Sequence, residues 1–239
     1  MKNFMVNKIE FVFIIFLYFK MNIIIKFNDN IEHHYESFNE IIELDNYNEI
    51  IYIECRHNNL SSLPELPNSL IELRCYSNRL YCLPKLPNSL EMLWCSENNI
   101  SSLPELPNSL KILWCDNNSL SNLPELTNSL EIMGCSNNNL SSLPELPNSL
   151  IYFSCNNNNL SSLPELPNSL NFLKYIHNPI HAHICKYFDG KKEKYFEYER
   201  NIKRKFSNKI GNWFLECRYN PKYMYCRKRL MKEYKELYG

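Results

Sequence analysis

Glycine is nearly missing from this chain of 239 residues: Gly134, Gly190, Gly211 and Gly239 are the only four. A loop that cradles phosphate needs several glycines close together, so that backbone N–H groups can approach the anion. These four stand too far apart, which excludes Walker-type and dinucleotide-binding loops. Alanine is scarcer still, with Ala182 alone, whereas Asn, Ile, Lys and Tyr abound. AT-rich coding sequence produces such a bias, and it says nothing of mechanism. Long apolar runs are missing too. "FVFIIFLYF", Phe11 to Phe19, is too short to span a bilayer. It has the length of a signal-peptide core, with Lys2 and Lys8 ahead of it, but Glu10 intrudes and no small-residue cleavage site follows. Buried strand, translation from Met21 and a signal or membrane anchor are the three readings left open, and no membrane partner is expected.

Net charge is absent in sum, with 26 basic and 26 acidic side chains, but not in distribution. Residues 1–50 hold 4 basic and 8 acidic groups, residues 51–170 hold 5 and 11, and residues 171–239 hold 17 and 7. An acidic body therefore precedes a tail of net +10.

What is there is a repeat. "LSSLPELPNSL" runs from Leu60 to Leu70 and recurs unchanged at Leu140–Leu150 and Leu160–Leu170. From residue 51 to 170 a 20-residue period holds without insertion for six units, and a degenerate seventh reaches Ile180. One unit reads L-x-x-L-x-C-x-x-N-x-L, as in "LIELRCYSNRL" from Leu70 to Leu80. Alternation at Leu73 and Cys75 predicts a short strand with those side chains inward. A single unit cannot bury its apolar side, so neighbours must stack and their strands join one parallel sheet. Seven strands at about 4.8 Å make a face about 29 Å long. Paired prolines such as Pro64 and Pro67 fix φ and lack N–H donors, which keeps the return path extended and leaves no convex helix. Thr127 replaces one of them, a change the path should tolerate.

The unit resembles the leucine-rich repeat, with Cys in the third apolar slot. "LPELPNSL" is similar to the shortest class of such repeats, found in effectors that pathogenic bacteria inject. The Cys-bearing form also resembles leucine-rich repeat proteins of amoeba-infecting giant viruses. The resemblance covers about residues 50–180. It implies an α/β repeat fold: a solenoid with a parallel sheet on its concave face, a prolyl extended convex side and a helical C-terminal cap. Residues 1–50 then form an N-terminal apolar segment and capping element, with Ser37–Ile50 covering the first repeat. Residues 51–180 form the array, and residues 181–239 a basic helical region.

Two columns read as scaffold. Asn58, Asn78, Asn98, Asn118, Asn138, Asn158 and Asn178 form a structural ladder, because a buried amide can both donate to and accept from the turn backbone. Cys55, Cys75, Cys95, Cys115, Cys135 and Cys155 read as small buried apolar side chains. Each cysteine inside the row has two equivalent neighbours, which favours packing over disulfides. Buried thiols suit a reducing compartment, so an intracellular location is expected, host cytoplasm or virion if the protein is viral, with secretion left open by the N-terminal apolar stretch.

Function should sit where the columns vary. Trp94 and Trp114 share one outward slot on adjacent strands, Met92 and Ile112 lie beside them, and Arg74, Tyr76 and Asp116 complete the patch. Large exposed aromatics mark interaction surfaces and are enriched among binding hot spots. These seven residues are the expected protein-binding site. The competing reading is that the rings pack on one another or under the chain ends. Past Gly134 the slots turn to Gly, Ser and Asn, which centres the expected site on units two to four.

Beyond residue 181, Tyr195, Tyr198, Ile202, Phe206 and Ile210 follow helical spacing, and Asn220–Pro221 suits a helix start before Cys226, Leu230, Tyr234 and Leu237. Lys203, Arg204, Lys205, Arg227, Lys228 and Arg229 offer a surface for nucleic acid, though no recognised binding motif is present. His177, His181, His183 and Cys185 match no familiar zinc spacing, so no metal is expected, and no cofactor either. A Cys185–His181 nucleophile has sequence adjacency as its sole support. Bacterial effectors of the resembled class can carry a ubiquitin-ligase domain with a cysteine closely followed by an acid. The 60 or so residues here are too few for it, and Cys217 precedes Arg218 and Tyr219. The repeat array, the aromatic patch and the lack of a reactive constellation point to a noncatalytic interaction module. The resemblance adds the alternative of an adaptor that recruits a host ubiquitin ligase.

Overall fold

Every 20 residues the chain returns to the same short strand. A computed structural model describes residues 22–188 together with Lys191 and Glu197. It divides into two compact units, Met1–Ala182 and His183–Gly239. In the first, seven three-residue strands follow one another: β3 (Tyr52–Glu54), β4 (Glu72–Arg74), β5 (Met92–Trp94), β6 (Ile112–Trp114), β7 (Ile132–Gly134), β8 (Tyr152–Ser154) and β9 (Phe172–Lys174). All pair in parallel with residue i opposite i+20, as Ile53 opposite Leu73 and Trp94 opposite Trp114. An unbroken period in sequence thus becomes zero stagger in space.

The central residue of β3–β8 is fully buried, and so is the Cys that follows it. Leu70, Leu90, Leu110, Leu130 and Leu150 fill the core from the strand's entrance, and Leu80, Ile100, Leu120, Leu140 and Leu160 from its exit. A unit alone would leave this apolar file in water, so stacking supplies the burial that holds the array together.

The Asn column forms the first of two hydrogen-bond ladders. Asn78 Nδ2 donates to the carbonyls of Cys55 (2.9 Å) and Cys75 (3.0 Å), while its Oδ1 accepts from Leu60 N (3.0 Å) and Asn58 N (3.0 Å). The pattern recurs up to Asn178, whose Nδ2 reaches Cys155 O at 2.9 Å and whose Oδ1 accepts from Leu160 N at 3.1 Å. Each amide so satisfies buried backbone in two successive units. The second ladder belongs to the serine of "PNSL". The segment closes a turn, with Leu90 N on Pro87 O at 3.1 Å, and Ser89 Oγ donates to Leu70 O of the preceding unit at 2.7 Å. Ser109, Ser149 and Ser169 repeat that bond at 2.6 to 2.7 Å. At Thr127 the hydroxyl, buried, lies 3.5 Å from Leu110 O and 3.3 Å from Ser129 Oγ.

The turn before each ladder Asn is left-handed. His57, Ser77, Glu97, Asn117, Asn137, Asn157 and His177 have φ between 52° and 57°. None is glycine, though glycine alone adopts this region without penalty. From Ser77 to Asn157 the residue's N–H meets a carbonyl of the next unit, for example Glu97 N on Asp116 O at 2.9 Å.

The N-terminal end is closed by β1 (Ile23–Lys26) and β2 (Glu32–Tyr35), an antiparallel hairpin whose β1 pairs antiparallel with β3. It completes a nine-stranded sheet of order β2-β1-β3-β4-β5-β6-β7-β8-β9. Ile23 and Ile25 are fully buried, and Asn22 bonds Asn58 through both its N (3.1 Å) and O (3.0 Å). Within Ser37–Ile50, α1 (Phe38–Ile42) buries Ile41, and a 3-10 turn at Tyr47–Glu49 leads to the buried Ile50. The Tyr47 hydroxyl donates to Glu65 O, and Asn48 Oδ1 accepts from Asn68 N at 3.3 Å. The segment therefore covers the first repeat's turn region, while the hairpin covers its strand.

At the other end α2 (Pro179–Phe188) begins on proline directly after Asn178. The apolar stretch Phe11–Phe19 and the helices expected around 195–210 and 220–237 lie outside the described residues. Among the described residues no helix is long and apolar enough to cross a membrane.

Candidate functional site

Zero stagger places Arg74, Trp94, Trp114, Gly134, Ser154 and Lys174 side by side on the outer face of the sheet. Trp94 and Trp114 stack, with centroids 5.9 Å apart and planes at 21°. Trp114 then meets Tyr152, two strands on, at 5.7 Å and 49°. Tyr152 in turn stacks on Phe172 at 5.9 Å and 15°. Four rings therefore form one row from β5 to β9. They pack on one another, as the competing reading expected, and still reach solvent: Phe172 is 58% exposed and the other three are half-buried.

Cations lie over the ends of this row. The Arg74 guanidinium sits 5.7 Å over Trp94 and 5.4 Å over Tyr52, and Lys174 Nζ lies 5.9 Å over Tyr152. Arg74 is held by Glu72 Oε1 at 2.6 Å and Glu54 Oε2 at 3.7 Å. Lys174 has no carboxylate partner among the described residues.

Of the seven expected site residues, Arg74, Tyr76, Trp94 and Trp114 line a single cleft of about 310 Å³ together with Ser96. Met92 and Ile112 are opposite each other on the neighbouring column, half-buried. Tyr76 Oη accepts from Arg56 Nη1 at 2.7 Å. The buried Trp94 Nε1 has no acceptor among the described residues, an uncommon state for an indole N–H. Asp116 faces a different task. Its Oδ1 accepts from Ser136 N at 2.7 Å, and burial pushes its carboxyl above the ordinary value against the pull of that bond.

Several residues escaped the sequence reading. Tyr152 and Phe172 carry the row past Gly134. A second, polar recess of about 500 Å³ lies over β1, β3 and β4, lined by Lys26, Glu32, Tyr52, Glu54, Arg56 and Arg74 among others. At its floor Glu54 is buried, holds Arg56 Nε at 2.7 Å and accepts the Tyr52 hydroxyl. Burial, then that bond, drives the Tyr52 phenol far above its usual range. Opposite charges at Glu54 and Arg74, paired across β3 and β4, are the one signal that could have found this knot.

The six ladder thiols are buried, and burial pushes Cys55, Cys95 and Cys155 up to about 12 and the other three up as well. Such thiols are poor nucleophiles. Among the described residues no three His, Cys, Asp or Glu side chains are grouped to hold a metal. His181 instead packs edge-on against Tyr175, with centroids 5.6 Å apart. Cys217 and the basic residues from Lys203 to Arg229 lie outside the described residues.

The repeat fold is shared with solved structures. YopM from Yersinia enterocolitica is similar over 52% of this chain and 28% of its own, at 39% identity and a TM-score of 0.52. The leucine-rich effector protein YopM from Yersinia pestis matches 52% of this chain and 37% of its own, at 45% identity and TM-score 0.50. A Shigella effector LRR domain matches 52% of this chain and 58% of its own, at 39% identity and TM-score 0.50. The chain folds as a leucine-rich repeat solenoid. It spans between 28% and 58% of the length of these effector structures. No family model and no curated protein matches the sequence.

Proposed function

We propose that this protein is a noncatalytic interaction module that binds a protein partner on the concave face, with Arg74, Tyr76, Met92, Trp94, Ile112 and Trp114 at the centre of the contact. The contiguous row of stacked rings carries this reading. Residues that build the frame repeat from unit to unit, whereas this face varies and keeps apolar rings at the surface. Trp and Tyr supply large contact area at little entropic cost, which is why they dominate hot spots. Likeness to effector proteins built on the same repeat supports a role in protein interaction.

The test compares the full chain with the Trp94→Ala/Trp114→Ala double variant as baits in host-cell lysate, after circular dichroism has shown both folded. A partner lost with the variant supports the assignment. Identical captured sets would place recognition elsewhere. The net charge of +10 over residues 171–239 favours a second reading, nucleic-acid binding by the tail, which requires affinity that falls steeply with salt. An adaptor that recruits a ubiquitin ligase is a special case of the first reading, and the captured partner decides it. Kinship with giant-virus repeat proteins, and with it an intracellular site of action, rests on the Cys column and the residue composition.

A further inference from the structure

We infer that Gly134 is the positioning residue that joins two aromatic pairs into one binding row, and that the row takes an apolar segment of a partner protein lying across the strands with an acidic side chain at the Lys174 end. The inference rests on the concave-face reading and specifies its footprint and its ligand.

Gly134 is the one glycine between residues 51 and 170, and it stands at the end of a strand. Glycine there weakens pairing and marks a close approach. The frame has no need of it, since the left-handed turns are made by His, Ser, Glu and Asn. Its backbone has no left-handed φ either, so the reason is space. A Cβ on residue 134 would stand less than 3.0 Å from two ring carbons of Trp114 and from Asp116 Oδ2. The Trp114 ring thus lies over β7 and spans to Tyr152 on β8. Ser154, the next residue of the column, is also small, and its hydroxyl turns aside to Ser136 Oγ at 2.8 Å. With a larger residue at 134 the face would hold two separate pairs, Trp94–Trp114 and Tyr152–Phe172.

Joined, the four rings extend about 17 Å, the reach of about three helical turns or five extended residues. The rings stack within each pair, Trp114 meets Tyr152 at a tilt, and all four keep part of their apolar surface in water. Charge defines the rest. The Arg74 end is neutralised by Glu72 and Glu54, and the strand-face residues of units five and six, from Ile132 to Asn157, carry no charge. Asp116 accepts from Ser136 N beside Trp114, and among the described residues Lys174 is the one cation on this row without a carboxylate partner. Single-stranded nucleic acid brings a phosphate with every stacked base and needs a track of cations. One unpaired lysine does not supply it, whereas an apolar segment with one acid matches the row in length and charge.

The full chain is panned against a phage library of random 12-residue peptides, and enriched sequences are synthesised and titrated by tryptophan fluorescence. The expected peptides have an aromatic or aliphatic core with Asp or Glu towards one end. Gly134→Ala should weaken them at least tenfold, and Lys174→Glu should weaken them and shift selection to peptides ending in Lys or Arg. If the collision is the cause, Gly134→Ala adds no further loss in a Trp114→Ala background. Should Gly134→Ala fail to fold, Tyr152→Ser cuts the row one ring later with the sequence of β7 unchanged and must give the same loss. No enrichment, basic peptides, or binding indifferent to Gly134→Ala overturns the inference. Indifference to Gly134→Ala with loss in Trp94→Ala/Trp114→Ala leaves the concave-face reading standing, and indifference to both variants sinks the two together.

Discussion

Raising the pH should unfold this protein through its cysteines. A thiol in an unfolded chain titrates near 8.5. In the folded array burial holds Cys55, Cys95 and Cys155 near 12, and Cys75, Cys115 and Cys135 are raised as well. Above about 8.5 the unfolded state therefore releases protons that the folded state retains. The sign follows: this stabilisation is complete below the unfolded value and is lost as pH rises towards the folded one. Between the unfolded and the folded value, each thiol removes about 1.4 kcal/mol per pH unit. For six thiols the loss relative to pH 7 is about 1 kcal/mol at pH 8, about 5 at pH 9 and about 8 at pH 9.5. The total stability of a domain is of order 5–15 kcal/mol, so the transition should fall between about pH 9 and 10.

Urea melts under reducing conditions at pH 7, 8, 9 and 9.5, followed by circular dichroism, measure that slope. Cys115→Ala lowers stability at pH 7 through the lost packing, yet its decline by pH 9 should be smaller by about one sixth. Stability that stays level from pH 7 to 9, or an unchanged slope in Cys115→Ala, would refute the buried-thiol argument.

Asn138→Ala removes the acceptor for Leu120 N and the donor to the carbonyls of Cys115, Cys135 and Ser136, all bonded at 3.0 to 3.3 Å. At about 1–3 kcal/mol for each buried group left unpaired, urea melts should show a loss of at least about 3 kcal/mol. Glu97→Gly relieves a left-handed φ of 55° and should stabilise by about 1 kcal/mol, a rise in melting temperature that Glu97→Ala does not give. Asp116→Asn should stabilise at neutral pH, because Asn156 already makes the equivalent bond, its Oδ1 accepting from Ile176 N at 2.9 Å. The raised Asp116 carboxyl contributes fully below the unfolded value near 3.9 and loses that contribution as pH climbs through the folded one. The gain in Asp116→Asn must therefore vanish at pH 3 and be complete at pH 7 in paired thermal melts.

Legibility followed periodicity. An uninterrupted 20-residue period forces equivalent residues into register, so the Cys, Leu and Asn columns could be read directly as sheet, core and ladder. The serine ladder was equally periodic, but a small polar residue in "PNSL" gave no hint that its hydroxyl reaches the preceding unit. The hairpin lies before the period begins, and its main signal was the alternation that buries Ile23 and Ile25. That alternation was lost beside a longer apolar run.

Column logic misleads where side chains are long. Read by columns, the site ended at Gly134, since the next residues in that slot are small. An indole reaches farther than one strand spacing, and an empty slot beside it is room rather than an ending. Trp114 occupies that room and meets Tyr152, which belongs to a different column and a unit two steps on. A glycine-poor chain that spends a glycine on a strand, where neither turn nor left-handed φ asks for one, has marked the point where the face is made continuous. In such arrays the small residues of the variable face locate a site as much as the large ones do.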